Sequence, residues 1–184
     1  MAADNRNQPE QRLAIWVREH ARAVRGYLLG LVRRSDVADD LLQEVFKRAW
    51  QARDRYRDQG HDRAYLLTIA DRLVIDRSRR LGLEINVDEA TWHELEPSTN
   101  DPIPLDGLTA AESSDELSAA LDQLSLAQRR VLLLRYFGDL TFEEIATQLS
   151  CPLSTTLSHC RRGLLTMRKL LADKNTTASL APAK

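Results

Sequence analysis

Residues 141–171 hold the side chains whose types and spacing carry the most chemistry. Thr141-Phe142-Glu143-Glu144 sets a hydroxyl three residues before a carboxylate, the form of a capping box that satisfies two free amides reciprocally. The helix it opens carries Ile145, Ala146 and Leu149. After Ser150-Cys151-Pro152-Leu153 a longer helix follows, with Ser154 as its expected cap. A short helix, a four-residue break and a longer helix make the helix-turn-helix plan, with Ile145, Leu149, Leu153 and Leu157 as the expected shared core. The second helix presents Ser154, Thr155, Thr156, Ser158 and His159 early, then Arg161 and Arg162. Hydroxyls near a helix N-terminus allow close approach to phosphates and base edges, and arginines further along neutralise phosphate or grip guanine. A plain helical hairpin with a solvated basic face shares this pattern, but the spacing favours DNA.

Two more groups of side chains stand out nearer the N-terminus. Asp39, Asp40, Gln43, Glu44 and Lys47 lie opposite an apolar stripe, and Asp40, Glu44 and Lys47 share one exposed strip. Taken alone, that is a solvated helix face. Further on, Arg63, Arg72, Arg77, Arg79 and Arg80 share one helix, with Tyr56 and Tyr65 near its entry. Basic side chains mixed with aromatics suit a nucleic-acid strand whose bases stack while its phosphates are neutralised. A soluble basic helix reads the same way.

The elements that must position these groups are all helical. From Glu10 to Arg33, Leu13, Trp16, Val17, Val24, Tyr27, Leu28 and Leu31 recur at three- and four-residue steps. Ser35 or Asp36 is placed to cap a second helix running to Tyr56, with Val37, Leu41, Leu42, Val45, Phe46, Ala49 and Trp50 inward. Gly60 breaks the chain, and Asp62 is placed to cap a third helix reaching Leu81, with Leu66, Ile69, Ala70, Leu73 and Val74 buried and Asp76 and Arg80 paired. A fourth helix starts near Ser114, and Ser125 caps a fifth that ends at Gly138. The last helix is expected to stop near Leu171. The expected divisions are a disordered N-terminus 1–9, a helical domain 10–82, an acidic linker 83–113, a helix-turn-helix domain 114–172 and a disordered tail 173–184.

The net charge of −1 over 184 residues conceals a segregation. Residues 1–80 carry 17 basic and 12 acidic side chains, and residues 129–184 carry 9 and 4. Residues 81–128 carry 11 acidic and no Lys or Arg. Two basic blocks therefore flank one acidic segment, so the average says little about partners. The longest aliphatic run, Val131–Leu134, is far short of the ~20 residues a bilayer span needs. The polar start predicts no export signal, and two cysteines, Cys151 and Cys160, are too few for a disulfide framework. A cytoplasmic, cofactor-free chain without membrane insertion is expected. No nucleophile–base pair, phosphate-cradling glycine loop or metal cluster argues for an enzyme.

The run Asp36-Val-Ala-Asp-Asp-Leu-Leu-Gln-Glu-Val-Phe-Lys-Arg-Ala-Trp50 resembles region 2 of bacterial extracytoplasmic-function (ECF) sigma factors. Leu124-Ser-Leu-Ala-Gln-Arg-Arg-Val-Leu-Leu-Leu-Arg-Tyr-Phe-Gly138 and Leu140-Thr-Phe-Glu-Glu-Ile-Ala146 resemble region 4. The resemblance covers residues 10–82 and 114–171 and implies sigma-two and sigma-four helical domains that direct core RNA polymerase to promoters. It implies that Asp39, Asp40, Gln43, Glu44 and Phe46 grip the polymerase clamp helices. It implies that Tyr56, Asp62, Arg63, Tyr65, Arg72, Arg77, Arg79 and Arg80 open and read the −10 element, where capturing an unstacked base costs a few kcal/mol. Ser154, Thr155, Thr156, Ser158, His159, Arg161 and Arg162 match the reader of the −35 element. The family often has Trp where Tyr65 stands, Asn where Arg72 stands, and basic residues where Leu157 and His159 stand.

An anti-sigma partner is what the family suggests, with the free chain a monomer. The acidic linker, ~100–110 Å at full extension, is long enough to thread a basic channel of the polymerase. The rival readings are an autonomous dimeric helix-turn-helix regulator bound to palindromic sites, and a protein-interaction scaffold without salt-dependent DNA binding.

Overall fold

The computed structural model describes residues 9–56, 60–82 and 114–178, which form seven helices and no strand. They are α1 (Pro9–Val32), α2 (Ser35–Gln51), α3 (Asp62–Arg80), α4 (Ser114–Asp122), α5 (Leu126–Tyr136), α6 (Phe142–Leu149) and α7 (Leu153–Ala178). The expected linker 83–113 lies outside the described residues, as do residues 1–8, 57–59 and 179–184. The helices divide into two compact units. One comprises α1, α2 and α3 together with Leu133–Leu140; the other comprises α4, α5 up to Leu132, α6 and α7.

In the first unit each of the three helices packs on the other two. The inward stripe of α1 is Trp16, Val24, Tyr27, Leu28 and Leu31, all at most 9% exposed. Val17, expected in that stripe, is 43% exposed, because the stripe passes through the half-buried His20, four residues after Trp16. On α2 the buried set is Val37, Ala38, Leu41, Val45 and Ala49, while Leu42, Phe46 and Trp50 lie half-buried on its flank. On α3 it is Leu66, Leu67, Ala70, Asp71, Leu73, Val74 and Ser78, with Ile69 displaced to the margin. The buried carboxylate of Asp71 accepts a 2.5 Å hydrogen bond from Tyr27 Oη, which ties α1 to α3 across 44 residues of sequence.

Two expected caps are absent because tertiary partners take the side chains. α2 follows Arg34, whose backbone is extended and which supplies no side-chain cap. Ser35 Oγ instead receives Arg25 Nη2 at 2.8 Å. α3 follows His61, and the Asp62 carboxylate receives Tyr56 Oη at 2.5 Å. α2 stops at Gln51, five residues short of Tyr56, and the chain continues in turns. Gly60, at φ 77°, takes the left-handed conformation that lets the chain re-enter α3. The expected Asp76–Arg80 ion pair is replaced by Arg80 Nε donating to the Asp76 carbonyl at 3.3 Å.

In the second unit two of the three expected caps form, whereas Ser154 lies inside α7, which already starts at Leu153. Ser125 and Gln128 exchange hydrogen bonds of 3.2 and 3.3 Å at the start of α5. Thr141 and Glu144 complete their box with bonds of 2.8 and 3.2 Å. α6 buries Ile145, Ala146 and Leu149. α7 buries Thr156, Cys160, Gly163, Leu164, Met167 and Leu171. Gly163 allows close approach to α5, since a Cβ there would sit 2.9 Å from Leu132 Cδ1. α7 does not stop at Leu171 but runs to Ala178, because no Gly or Pro interrupts it before Pro182.

Candidate nucleic-acid interface

The α2 face holding Asp39, Asp40, Gln43 and Glu44 is largely committed to its own neighbours. Arg25, one helix away, grips Asp39 with Nε at 2.6 Å and Nη2 at 3.2 Å. That guanidinium holds the Asp39 carboxyl below the ordinary carboxylate range. Glu44 binds Arg48 at 3.0 Å and Lys47 at 3.3 Å, which lower its pKa in that order. Asp36 is likewise lowered by its ion pair with Arg34. Among the described residues Asp40 and Gln43, both exposed, have no such partner. Phe46 sits half-buried four residues after Leu42, so an apolar margin runs beside the acidic one.

Tyr56 and Tyr65 meet as a stacked pair, with centroids 4.4 Å apart and planes tilted by 34°. Trp16 of α1 lies against both, edge-on to Tyr56 at 5.3 Å and tilted to Tyr65 at 5.9 Å. The Arg12 guanidinium sits 5.9 Å from the Tyr56 ring. Both tyrosines remain partly accessible, whereas Trp16 is 1% exposed and its indole Nε1 has no hydrogen-bond partner. Burial pushes the Tyr65 phenol up. From this cluster α3 leads away through half-buried Arg63 to the exposed Arg72, Arg77, Arg79 and Arg80. The structure thus gathers an aromatic platform at one end of a basic helix, an arrangement able to stack bases and neutralise phosphates.

The contacts of Trp16, Arg12 and Arg25 with the candidate site residues were not legible in the sequence. Trp16 reads as a core residue because its aromatic partners lie 40 and 49 positions away. No local spacing relates Arg25 to Asp39, 14 positions on.

In the second unit, α6 and α7 form the expected pair with a different register. Ser150 takes a left-handed φ of 53°; its N–H bonds to Thr147 O at 3.3 Å and that of Cys151 to Ala146 O at 3.0 Å. This is the Schellman pattern with serine in the glycine position. Pro152 O then receives Thr156 N at 3.1 Å and Thr156 Oγ1 at 3.3 Å, and Thr156 Oγ1 lies 3.2 Å from Cys151 Sγ. Thr156 therefore faces the turn, and Leu153, expected in the shared core, is 39% exposed. Burial raises the Cys151 thiol.

Thr155, Ser158 and His159, expected at the surface, are at most 4% exposed. Ser154 and Arg162 are exposed, and Leu157 and Arg161 half-buried. Burial, with Arg162 adding to it, lowers the His159 pKa to about 4, so the ring is neutral near pH 7. Among the described residues no group of three His, Cys, Asp or Glu side chains could hold a metal ion, and no helix is long and apolar enough to cross a membrane.

The chain matches the family model for Sigma-70 region 2 over residues 16–83 and that for Sigma-70 region 4 over residues 114–167. It is 30% identical to the ECF RNA polymerase sigma factor SigL of Mycobacterium tuberculosis, over 86% of this chain and 88% of SigL. It is 31% identical to the probable ECF sigma factor SigI of the same species, over 89% of this chain but only 57% of SigI's length. SigX of Bacillus subtilis is 27% identical over 78% of this chain and 75% of its own. The fold matches the sigma factor RpoE of Bartonella quintana, solved in complex with the anti-sigma factor NepR. The TM-score is 0.67 at 23% identity, over 89% of this chain and 96% of that one.

Proposed function

The chain belongs to the ECF RNA polymerase sigma factors, and we propose that it binds core RNA polymerase and directs promoter-specific initiation in the following way. The exposed face of α2, with Asp40 and Gln43 at its centre and Phe46 on its flank, docks on the polymerase; Asp39 and Glu44 contribute from within their ion pairs. Tyr56 and Tyr65 receive unstacked bases of the −10 element, with Asp62 holding Tyr56. Arg63, Arg72, Arg77, Arg79 and Arg80 follow the phosphates. Ser154, Arg161 and Arg162 of α7 meet the −35 element as duplex. Thr155, Ser158 and His159 join them only in a bound state that uncovers their side chains, and Thr156 acts by bracing the turn.

The observation that carries this reading is the tyrosine pair at 4.4 Å beside an exposed arginine row. An autonomous repressor or activator has no use for such a platform, because duplex DNA offers no free base faces to stack on it. No enzymatic step is assigned. The solved complex of RpoE with NepR supports an anti-sigma protein as a further partner here. The deciding experiment is in-vitro transcription with core polymerase and this protein on a promoter library. Initiation at a shared −35/−10 pattern is the expected result. Tight binding to palindromic DNA without polymerase, and no initiation with it, would favour the dimeric regulator.

A further inference from the structure

We propose that Leu157 is a specificity-determining residue and that its side chain reads a thymine methyl group in the upstream promoter element. The inference rests on the reading of α7 as the −35 helix. Its basis is what α7 leaves accessible. At ~100° per residue, Ser154, Leu157, Arg161 and Leu165 follow one another along one side of the helix. Ser154 is exposed, Leu157 and Arg161 are half-buried, and Leu165 is 48% exposed. Thr155, Thr156, Ser158, His159 and Cys160, on the remaining sides of the same turns, are all at most 4% exposed. After Leu153, itself 39% exposed, the accessible strip at the start of α7 therefore has a hydroxyl, an isobutyl group and a guanidinium in order.

The fold does not need Leu157 inside. The inward positions of α7 are already filled by Thr156, Cys160, Gly163, Leu164 and Met167. In a docked helix-turn-helix, the first turns of the second helix face base edges in the major groove. Ser154 and Arg161 flank Leu157 by one turn on each side and hold the helix to phosphate or guanine. An isobutyl group between them has no hydrogen bond to offer. The apolar feature that base edges present in that groove is the C5 methyl of thymine. A lysine at this position would follow phosphates whatever the sequence, whereas leucine adds discrimination instead of general affinity.

The test uses holoenzyme reconstituted from core polymerase and the full chain. A −35 sequence is selected from a randomised library, and each thymine is then replaced singly by deoxyuridine, which removes only the methyl. One such replacement should lower promoter binding about 4-fold, the loss expected for one buried methyl group. Leu157→Ala should weaken the parent promoter to a similar degree and be blind to that replacement. Leu157→Lys, which keeps a long helix-compatible side chain, should bind with a steeper salt dependence and no thymine preference. Indifference of the wild-type holoenzyme to every deoxyuridine would overturn the assignment, as would full discrimination retained by both variants. Binding that ignores the whole −35 region would instead overturn the reading of α7 itself, and the inference with it.

Discussion

Arg25 and Asp39 form a two-point ion pair between α1 and α2, with Nε 2.6 Å from Oδ1 and Nη2 3.2 Å from Oδ2. It places a neutralising charge on a carboxylate that the sequence offers to a partner. Asp40, the next residue, has no ion-pair partner among the described residues. Asp40→Lys should weaken binding to core polymerase by about 10- to 100-fold, the scale for a disrupted interfacial charge. Asp39→Asn should cost less than about 3-fold, since an exposed pair contributes little. Affinity titration with labelled core enzyme separates the two, and equal losses would contradict the ranking. The pH sign follows from the lowered Asp39 pKa. The pair persists above the ordinary value of 3.8 and is lost as pH falls through the depressed one.

Tyr65 and Tyr56 share a stack but differ in their second contacts. Tyr65→Leu removes a ring and should slow −10 opening about 10-fold or more, since stacking contributes ~1–3 kcal/mol per base. Tyr56→Phe keeps both rings and loses the bond to Asp62, so opening should fall by no more than about 3-fold. Permanganate reactivity of −10 thymines reads both variants. Wild-type opening by Tyr65→Leu would remove the platform from the mechanism.

Tyr27→Phe deletes the hydroxyl that Asp71 receives at 2.5 Å in the core of the first unit. Withdrawing a donor from a buried carboxylate should destabilise that unit by about 1–3 kcal/mol. Urea unfolding followed by near-ultraviolet circular dichroism measures it, with an unchanged midpoint the contrary result.

His159 gives the second unit a pH-dependent stability. Its pKa is about 4 when folded and 6.5 for an unperturbed histidine, so the unfolded chain binds the proton first. Stability is fully present above pH 6.5, declines as pH falls toward about 4, and then levels off for this group. Burial is the main cause and the Arg162 charge the second. His159→Gln should flatten that slope in thermal melts recorded across the window.

Ser150→Gly should stabilise the second unit by up to about 1 kcal/mol. The φ of 53° costs an L-residue energy that glycine avoids, less what glycine loses in the unfolded chain. A lower melting temperature would show that the Ser150 side chain does something more.

The helices themselves were legible from periodicity and breakers, and so were the two caps whose partners lie three residues away. Ser35 and Asp62 read equally well as caps, yet Arg25, ten residues before, and Tyr56, six residues before, take them, and neither spacing belongs to a capping pattern. Phase was the weaker inference. Val17 and Leu153 are apolar and correctly spaced, but His20 and Thr156, each three residues further on, take the inward side instead. The acidic strip and the arginine row could be found in the sequence. The indole beneath the tyrosines could not, because it comes from another helix.

The turn between α6 and α7 has a consequence for how this protein could acquire new targets. The N–H groups of Ser150, Cys151 and Thr156 all bond within the turn, and a threonine hydroxyl braces it from inside. The angle between the two helices is therefore set during folding, and docking needs no further ordering there. A rigid mount cannot adapt its pose to each promoter. Divergence of such a reader would proceed by single exchanges at Ser154, Leu157 and Arg161, like changing the teeth of a key on an unaltered shank.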